Sequence, residues 1–110
     1  MKMTPEQNIT PDRWVVVELT QGDNTFRKIL SGWNGGYFDK DNWRLSSPIV
    51  NETEMKHHIE FSTESGSTYK CLCSGEGLTG MTRDYLSKLQ EQAKDKNDVN
   101  VRVLCYGDQT

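Results

Sequence analysis

Three cysteines and two histidines are the side chains of this chain that are best suited to binding zinc, and a cysteine thiol can also serve as a nucleophile. Cys71 and Cys73 are spaced so that both thiols lie on one face of a strand, roughly 6.6 Å apart along it. Cys105 and His57 also fall on the apolar faces of predicted strands, so the four groups could bind zinc if those strands are neighbours. Zinc sites usually hold their thiolates on turns with C-x-x-C spacing. We therefore predict buried structural thiols and no cofactor, with zinc as an alternative.

The two histidines are adjacent in sequence, at His57 and His58. Neighbouring side chains of a strand point to opposite faces, so one ion cannot bind both, and we expect a half-buried His57 and a solvent-facing His58. The chain contains no G-x-S-x-G sequence. The run 75–80 has the spacing G-x-G-x-x-G but lacks a βαβ unit around it, so it is interpreted as a connection. Without a paired nucleophile and base, the protein is predicted not to be an enzyme.

Aromatic residues are concentrated between Trp33 and Trp43, where two adjacent glycines accompany them. One interpretation is a tightly turned part of the core in which the two tryptophans pack against each other. Another is a surface that binds a protein partner, because tryptophan and tyrosine dominate binding energy at interfaces. A third is a platform for single-stranded bases, although few cations accompany the aromatic groups. The residues predicted to bind a partner are Trp33, Tyr37, Phe38, Trp43 and Arg44.

Length and composition indicate one mildly acidic globular domain. Its 110 residues suffice for a core without disulfides, and the net charge is −3. Since affinity for duplex DNA depends on neutralising phosphates, this charge argues against a duplex-DNA-binding protein. No stretch approaches the ~20 apolar residues of a membrane span, and the first residues lack the apolar core of a signal peptide. With an odd number of cysteines as well, we predict a cytoplasmic protein without membrane contact.

Alternating apolar and polar residues predict several antiparallel strands, and a later change of period predicts one helix and a last strand. Met81, Tyr85 and Leu89 recur at helical spacing, and Thr79 or Thr82 can cap the helix. Residues 1–11 are predicted to be a polar lead-in, followed by one globular domain over 12–110. The predicted strands are 12–20, 25–33, 55–62, 67–73 and 99–106, with short segments at 37–38 and 43–45 paired across a turn at 39–42. The predicted helix is 80–96.

The predicted fold class is α+β, with an antiparallel, strongly bent sheet or small barrel of about five to seven short strands and one helix before the last strand. The run Trp43–Ile49, followed by Phe61–Tyr69, resembles strand-turn-strand stretches of small SH3-like barrels. The resemblance covers less than a third of the chain. It implies a barrel and carries nothing about function.

These features favour a small cytoplasmic protein that acts by stoichiometric contact with a protein partner. Regulatory, inhibitory and immunity-type accessory proteins act in this way, including anti-defence inhibitors of phages and mobile elements. The alternatives are a zinc-stabilised domain using Cys71, Cys73 and Cys105, and a single-stranded nucleic-acid binder using the aromatic residues of 33–43. The protein is expected to be a monomer or a homodimer formed through an unpaired edge strand.

Overall fold

A computed structural model of the chain describes residues 8–33, 42–96 and 98–106. Within these ranges, the predicted α+β class is confirmed: eight strands, mostly antiparallel, accompany one α-helix. No helix in the described part of the chain is long and apolar enough to span a membrane. The elements are β1 (Asn8–Ile9), β2 (Arg13–Gln21), β3 (Asn24–Trp33), β4 (Asn42–Leu45), β5 (Ile49–Glu54), β6 (His58–Thr63), β7 (Thr68–Leu72), α1 (Gly80–Lys94) and β8 (Val99–Leu104).

The strands form two four-stranded sheets, which are not closed into one barrel by the residues described. The central sheet has the order β4-β3-β2-β8, and the outer sheet has the order β1-β7-β6-β5. Helix α1 packs on the face of the central sheet that is turned away from the outer sheet. The molecule therefore has three layers, and the barrel implied by the SH3-like resemblance is not observed. Within the predicted lead-in, Asn8–Ile9 pairs in parallel with β7.

Strand β2 is the centre of this arrangement because it is apolar on both faces. Trp14 and Val16 face the outer sheet, whereas Val15 and Val17 face α1. All four are buried. A strand covered on both faces is expected to show a continuous apolar run rather than alternation. The sequence Trp-Val-Val-Val is thus the local signal for a three-layered fold.

The outer sheet contains both strands that the sequence did not predict: β1, which is only two residues long, and the edge strand β5. Its residues Ile49–Glu54 are mostly polar and exposed, and Val50 lies at an irregularity in the pairing with β6. An exposed edge strand does not need an apolar face, so alternation is a weak signal for it. The prediction of a strand from residue 55 was wrong at its start, because β6 begins only at His58.

The core between the two sheets is built around the indole ring of Trp14. Its Nε1 donates a hydrogen bond to the carbonyl oxygen of Leu72 at 2.7 Å. The ring contacts Phe61 and Tyr106, with centroids 5.8 Å and 6.1 Å away. Because Leu72 ends a strand of the outer sheet, the indole connects the two sheets by a polar as well as an apolar contact. Buried neighbours in this cluster are Val16, Ile29, Ile59, Phe61, Tyr69 and Cys71.

Tyr106 forms a second connection between the sheets. Its hydroxyl donates to Oε1 of Glu52 on β5 at 3.1 Å and accepts from Arg27 on β3 at 3.2 Å. The ion pair between Arg27 and Glu52, at 3.4 Å, completes the group. Burial raises the pKa of Tyr106 to about 12; the Glu52 carboxylate adds to the rise and Arg27 opposes it. The phenol therefore stays neutral and can donate its hydrogen bond at ordinary pH.

Helix α1 begins with a capping box. Thr79 is the N-cap: its hydroxyl accepts from the backbone N–H of Thr82 at 3.2 Å, and the Thr82 hydroxyl accepts from the Thr79 N–H at 2.8 Å. Both threonines are buried. The two bonds satisfy backbone donors that the first helical turn leaves free. The predicted start is therefore confirmed, while the helix ends at Lys94, two residues before the predicted end.

Gly32 of β3 brings the capping box into contact with the central sheet. A Cβ at this position would lie 2.7 Å from Cγ2 and 2.8 Å from Oγ1 of Thr79, and 3.1 Å from Cγ2 of Thr82. These distances are shorter than carbon atoms tolerate without movement. The absence of a side chain at Gly32 therefore sets how closely the helix approaches the sheet.

Replacing Gly32 with alanine is expected to lower the free energy of unfolding by about 2 kcal/mol, because the buried cap must shift to admit a methyl group. Gly80→Ala is the matched control. An added Cβ there meets no neighbouring atom within 4 Å, and alanine favours the helix, so this variant should gain about 0.5 kcal/mol. Urea denaturation followed by circular dichroism measures both, and equal stabilities of the two variants would contradict the close approach.

Candidate protein-binding surface

The most exposed aromatic contact among the described residues lies at one edge of the central sheet. Strand β4 is the edge strand, and Trp43 is paired with Gly32 of β3. Side chains of directly paired residues lie on the same face, so Trp43 lies on the helix side of the sheet, the side on which the capping box packs against Gly32. Its ring stacks on Tyr85 of α1, with centroids 4.3 Å apart and planes inclined by 28°. The stack thus joins β4 to the helix at the surface.

One face of this stack remains open to solvent. Trp43 is 38% exposed, and Met81, one helical turn before Tyr85, is 42% exposed. Residues four apart lie on the same side of a helix, so Met81 extends the apolar surface along α1. We refer to Trp43, Tyr85 and Met81 as the Trp43 surface. It combines a flat ring held in place with an adaptable thioether, two kinds of group that are enriched at protein interfaces.

The other residues predicted to bind a partner are not brought together with Trp43. Trp33 and Arg44 occupy the opposite face of the central sheet, because they alternate with Gly32 and Trp43 along their strands. The Nε1 of Trp33 donates to the carbonyl of Thr10 at 3.1 Å. The two tryptophans therefore do not pack against each other, and they do not form one platform for stacked bases. Tyr37 and Phe38 lie outside the described residues.

Arg44 is exposed and lies near Tyr69 of the outer sheet. Burial raises the pKa of Tyr69, and the positive charge of Arg44 opposes that rise. This electrostatic contact places Arg44 on the side of the outer sheet, away from the Trp43 surface. Of the five predicted residues, Trp43 is the one that the structure stacks on an aromatic residue of the helix, Tyr85.

The helical spacing of Met81, Tyr85 and Leu89 predicts one apolar stripe along α1, to which Leu86 and Ala93 also belong. Leu86 and Ala93 are buried, but Met81 is exposed and Tyr85 is half-buried. The helix therefore buries only part of its apolar stripe, and Met81 and Tyr85 lie toward the open side of that stripe. Helical periodicity could show that these residues share a side of the helix, but not which part of that side is buried.

The cysteines do not form the metal site that was considered for them. Cys71 is fully buried, and burial raises its pKa to about 12. Cys73 is exposed because β7 ends at Leu72 and a short 3-10 helix, Cys73–Gly75, follows. Cys105 is exposed because β8 ends one residue earlier. The prediction of three buried thiols is thus wrong for two of them, and no group of three possible metal ligands occurs in the described ranges.

The histidines are placed in the reverse of the predicted order. His57 is exposed, whereas His58 is half-buried and lies 3.2 Å from Oε2 of Glu60. The reason is that His57 belongs to the turn before β6, so strand alternation does not apply to it. In the described residues, neither histidine side chain forms a hydrogen bond with a serine or a cysteine.

The glycine-rich run before α1 is a packed connection. The carboxylate of Glu76 accepts a hydrogen bond from the backbone N–H of Tyr106 at 2.7 Å, and Gly77 N–H donates to the Trp14 carbonyl at 2.8 Å. At Gly75, a Cβ would lie 2.9 Å from a backbone carbonyl oxygen. Structural contacts therefore involve Gly75 and Gly77, two of the three glycines that resembled a phosphate-binding motif.

Comparison with known proteins does not assign the chain to a group: no family model, no curated protein and no solved structure matches it. The geometry of its own residues is therefore the basis on which a function can be argued. Among the exposed groups described above, the Trp43 surface has the composition and fixed geometry of a binding surface.

Proposed function

We propose that this chain is a small protein-binding module that acts by stoichiometric contact and without catalysis of its own. The Trp43 surface is its principal contact with the partner. The observation that carries this proposal is the stack of Trp43 on Tyr85, which holds an exposed indole at the edge of a sheet. Tryptophan and tyrosine are the residues most enriched among those that dominate the energy of interfaces.

The rigidity of the support strengthens this interpretation. An exposed side chain loses rotamer freedom on binding, which costs about 0.5–1.5 kcal/mol for each group that becomes fixed. Here Tyr85 already restrains the indole, and the capping box fixes the first turn of α1 against Gly32. A partner that buries Trp43 therefore gains contact area with a reduced entropic cost.

The proposal includes a class and a compartment. A small domain with one rigid aromatic contact suits a regulatory, inhibitory or immunity-type accessory protein, including an anti-defence inhibitor of a phage or mobile element. All three cysteines are free, and two of them are exposed, which supports a reducing, cytoplasmic environment. Tyr37 and Phe38 remain predicted partner-binding residues. Trp33 and Arg44 also remain predicted ones, but they lie on the opposite face of the central sheet and are not part of the Trp43 surface.

The test compares three immobilised forms of the protein in extracts of the source cell. Wild type and Val50→Ala should retain the same partner, while Trp43→Ala should lose it. Val50 is the matched control because it is an exposed apolar residue, 59% accessible, on the edge of the other sheet. With the purified partner, Trp43→Ala should weaken binding by about 2 kcal/mol, which is roughly 30-fold in the dissociation constant.

Thermal unfolding of each variant separates loss of binding from loss of fold. Trp43→Ala removes a half-exposed ring and should keep a cooperative transition close to that of wild type. A folded Trp43→Ala that binds the purified partner with unchanged affinity would exclude the Trp43 surface. A partner that is lost equally from Val50→Ala would exclude it as well.

A further inference from the structure

A second surface feature lies at the other end of the helix from the Trp43 surface. It is a groove of about 340 Å³ between the last turns of α1 and one end of the central sheet. That end is formed by the end of β2 and the starts of β3 and β8. We call it the Phe26 groove, after the exposed ring in its wall. Among the residues that line it are Leu19, Phe26, Lys28, Leu89, Lys96 and Val101.

The wall formed by the sheet is apolar, and the helix does not cover this part of it. Leu19 is paired with Phe26 on one side and with Val101 on the other, so the three side chains share the helix-facing side of the central sheet. Phe26 is 42% exposed, whereas Val15, Val17 and Leu30 on the same side are buried under α1. Leu89 supplies an apolar contact from the helix. The groove therefore has an apolar interior that is open to solvent.

The charged groups of the groove have one sign. Lys28 and Lys96 line it, and no acidic residue does, although the chain as a whole carries a net charge of −3. Neither lysine forms an ion pair with another described residue. Lys28 is half-buried, so part of its hydration is lost without a compensating anion. Such a group favours an anion that enters the groove.

We propose that the Phe26 groove binds a free, single-chain apolar carboxylate, the chemical class of a fatty acid. The hydrocarbon would cover Phe26, Leu19 and Leu89, and the carboxylate would pair with Lys28 and lie within reach of Lys96. The volume falls at the lower end of the range of about 300–1,000 Å³ that is usual for small-molecule sites. This site is separate from the Trp43 surface and does not depend on the proposed protein partner.

Decanoate is the probe, titrated into the full chain and followed by calorimetry and by methyl chemical shifts. Binding should be saturable at one site, with a dissociation constant on the order of 0.1–1 mM. Decylammonium has the same chain and the opposite charge, and should bind at least about tenfold more weakly. Equal binding of the two amphiphiles, or no saturation below roughly 5 mM decanoate, would overturn the proposal.

Variants locate the site. Lys28→Met keeps the methylene groups and removes the charge, and should weaken decanoate binding about five- to tenfold. Phe26→Ala should weaken it by a similar factor through lost apolar contact. Lys56→Met, an exposed lysine in the turn before β6, is the control and should leave binding unchanged. If Lys56→Met weakens binding as much as Lys28→Met does, the proposal fails.

Two further measurements test whether the Phe26 groove is independent of the Trp43 surface and whether a second copy of the chain fills it. Trp43→Ala should bind decanoate as wild type does, so the two proposals can fail separately. Sedimentation velocity of the free protein tests whether a second copy fills the groove. A dimer that Phe26→Ala converts to monomer would show that the occupant is another copy of the chain. This result would overturn the proposal that a carboxylate binds in the groove.

Discussion

Replacing Trp14 with alanine is expected to lower the free energy of unfolding by about 4 kcal/mol. The side chain is fully buried between the two sheets and contacts Phe61 and Tyr106. Truncation removes those contacts and leaves a large cavity. It also removes the donor that satisfies the Leu72 carbonyl, whose hydrogen bond is 2.7 Å long. The lost ring contacts and the lost hydrogen bond both connect the two sheets at the same place. Small movements of the surrounding residues therefore cannot restore them.

Urea denaturation followed by far-ultraviolet circular dichroism measures this effect. Trp43→Ala is the matched control, since the chemical change is the same at a position that is 38% exposed, and it should cost about 1 kcal/mol. If Trp14→Ala does not fold, Trp14→Phe keeps most of the volume, loses the indole donor and should cost about 2 kcal/mol. A loss at Trp14 no larger than that at Trp43 would contradict its central role.

Alkaline solution is expected to destabilise the protein strongly, because Cys71 resists ionisation in the folded state. Burial raises its pKa from the ordinary 9.0 to about 12. Above pH 9 the unfolded chain releases this proton while the folded chain keeps it. Stability from this group is therefore complete below pH 9 and declines as pH rises toward 12. The slope approaches about 1.4 kcal/mol per pH unit, and the total loss is on the order of 4 kcal/mol.

Tyr106 adds to the same decline from about pH 10, since its folded pKa is also raised to about 12. Its ionisation removes the hydrogen bond that the hydroxyl donates to Glu52. Urea denaturation in reducing buffers between pH 8 and 11 gives the profile. Cys71→Ala should delay the decline by about one pH unit, whereas exposed Cys73→Ala should follow wild type. A Cys71→Ala profile that parallels wild type throughout would contradict the assignment to this thiol.

Those parts of the fold that bury a regular apolar face were predictable. Ile59 and Phe61 alternate with polar residues in β6, and helical spacing with a threonine cap located α1. The pattern failed where burial is incomplete. β5 is exposed at an edge, and its polar residues do not alternate clearly. The division into two sheets was also missed, since alternation gives the faces of a strand but not its neighbours.

The candidate surface was predictable only in part, because it depends on register. Trp33 and Trp43 are close in sequence, yet the pairing of Trp43 with Gly32 places them on opposite faces. Tyr85 could be recognised as part of an apolar stripe, but its contact with Trp43 requires the position of a distant strand. The two lysines of the Phe26 groove are 68 residues apart, at Lys28 and Lys96 (96 minus 28). No local pattern connects such residues.

The pairing of β2 with β8 has a consequence for the order in which the protein folds. The ion pair between Arg102 and Glu18 joins residues 84 positions apart. During synthesis, the valine-rich β2 must therefore wait until nearly all of the described chain has emerged before its second neighbour is available. Contacts of such long range slow folding, and an unpaired apolar strand can associate with other chains in the meantime. The apolar strand β2 therefore keeps one open edge until β8 has been synthesised.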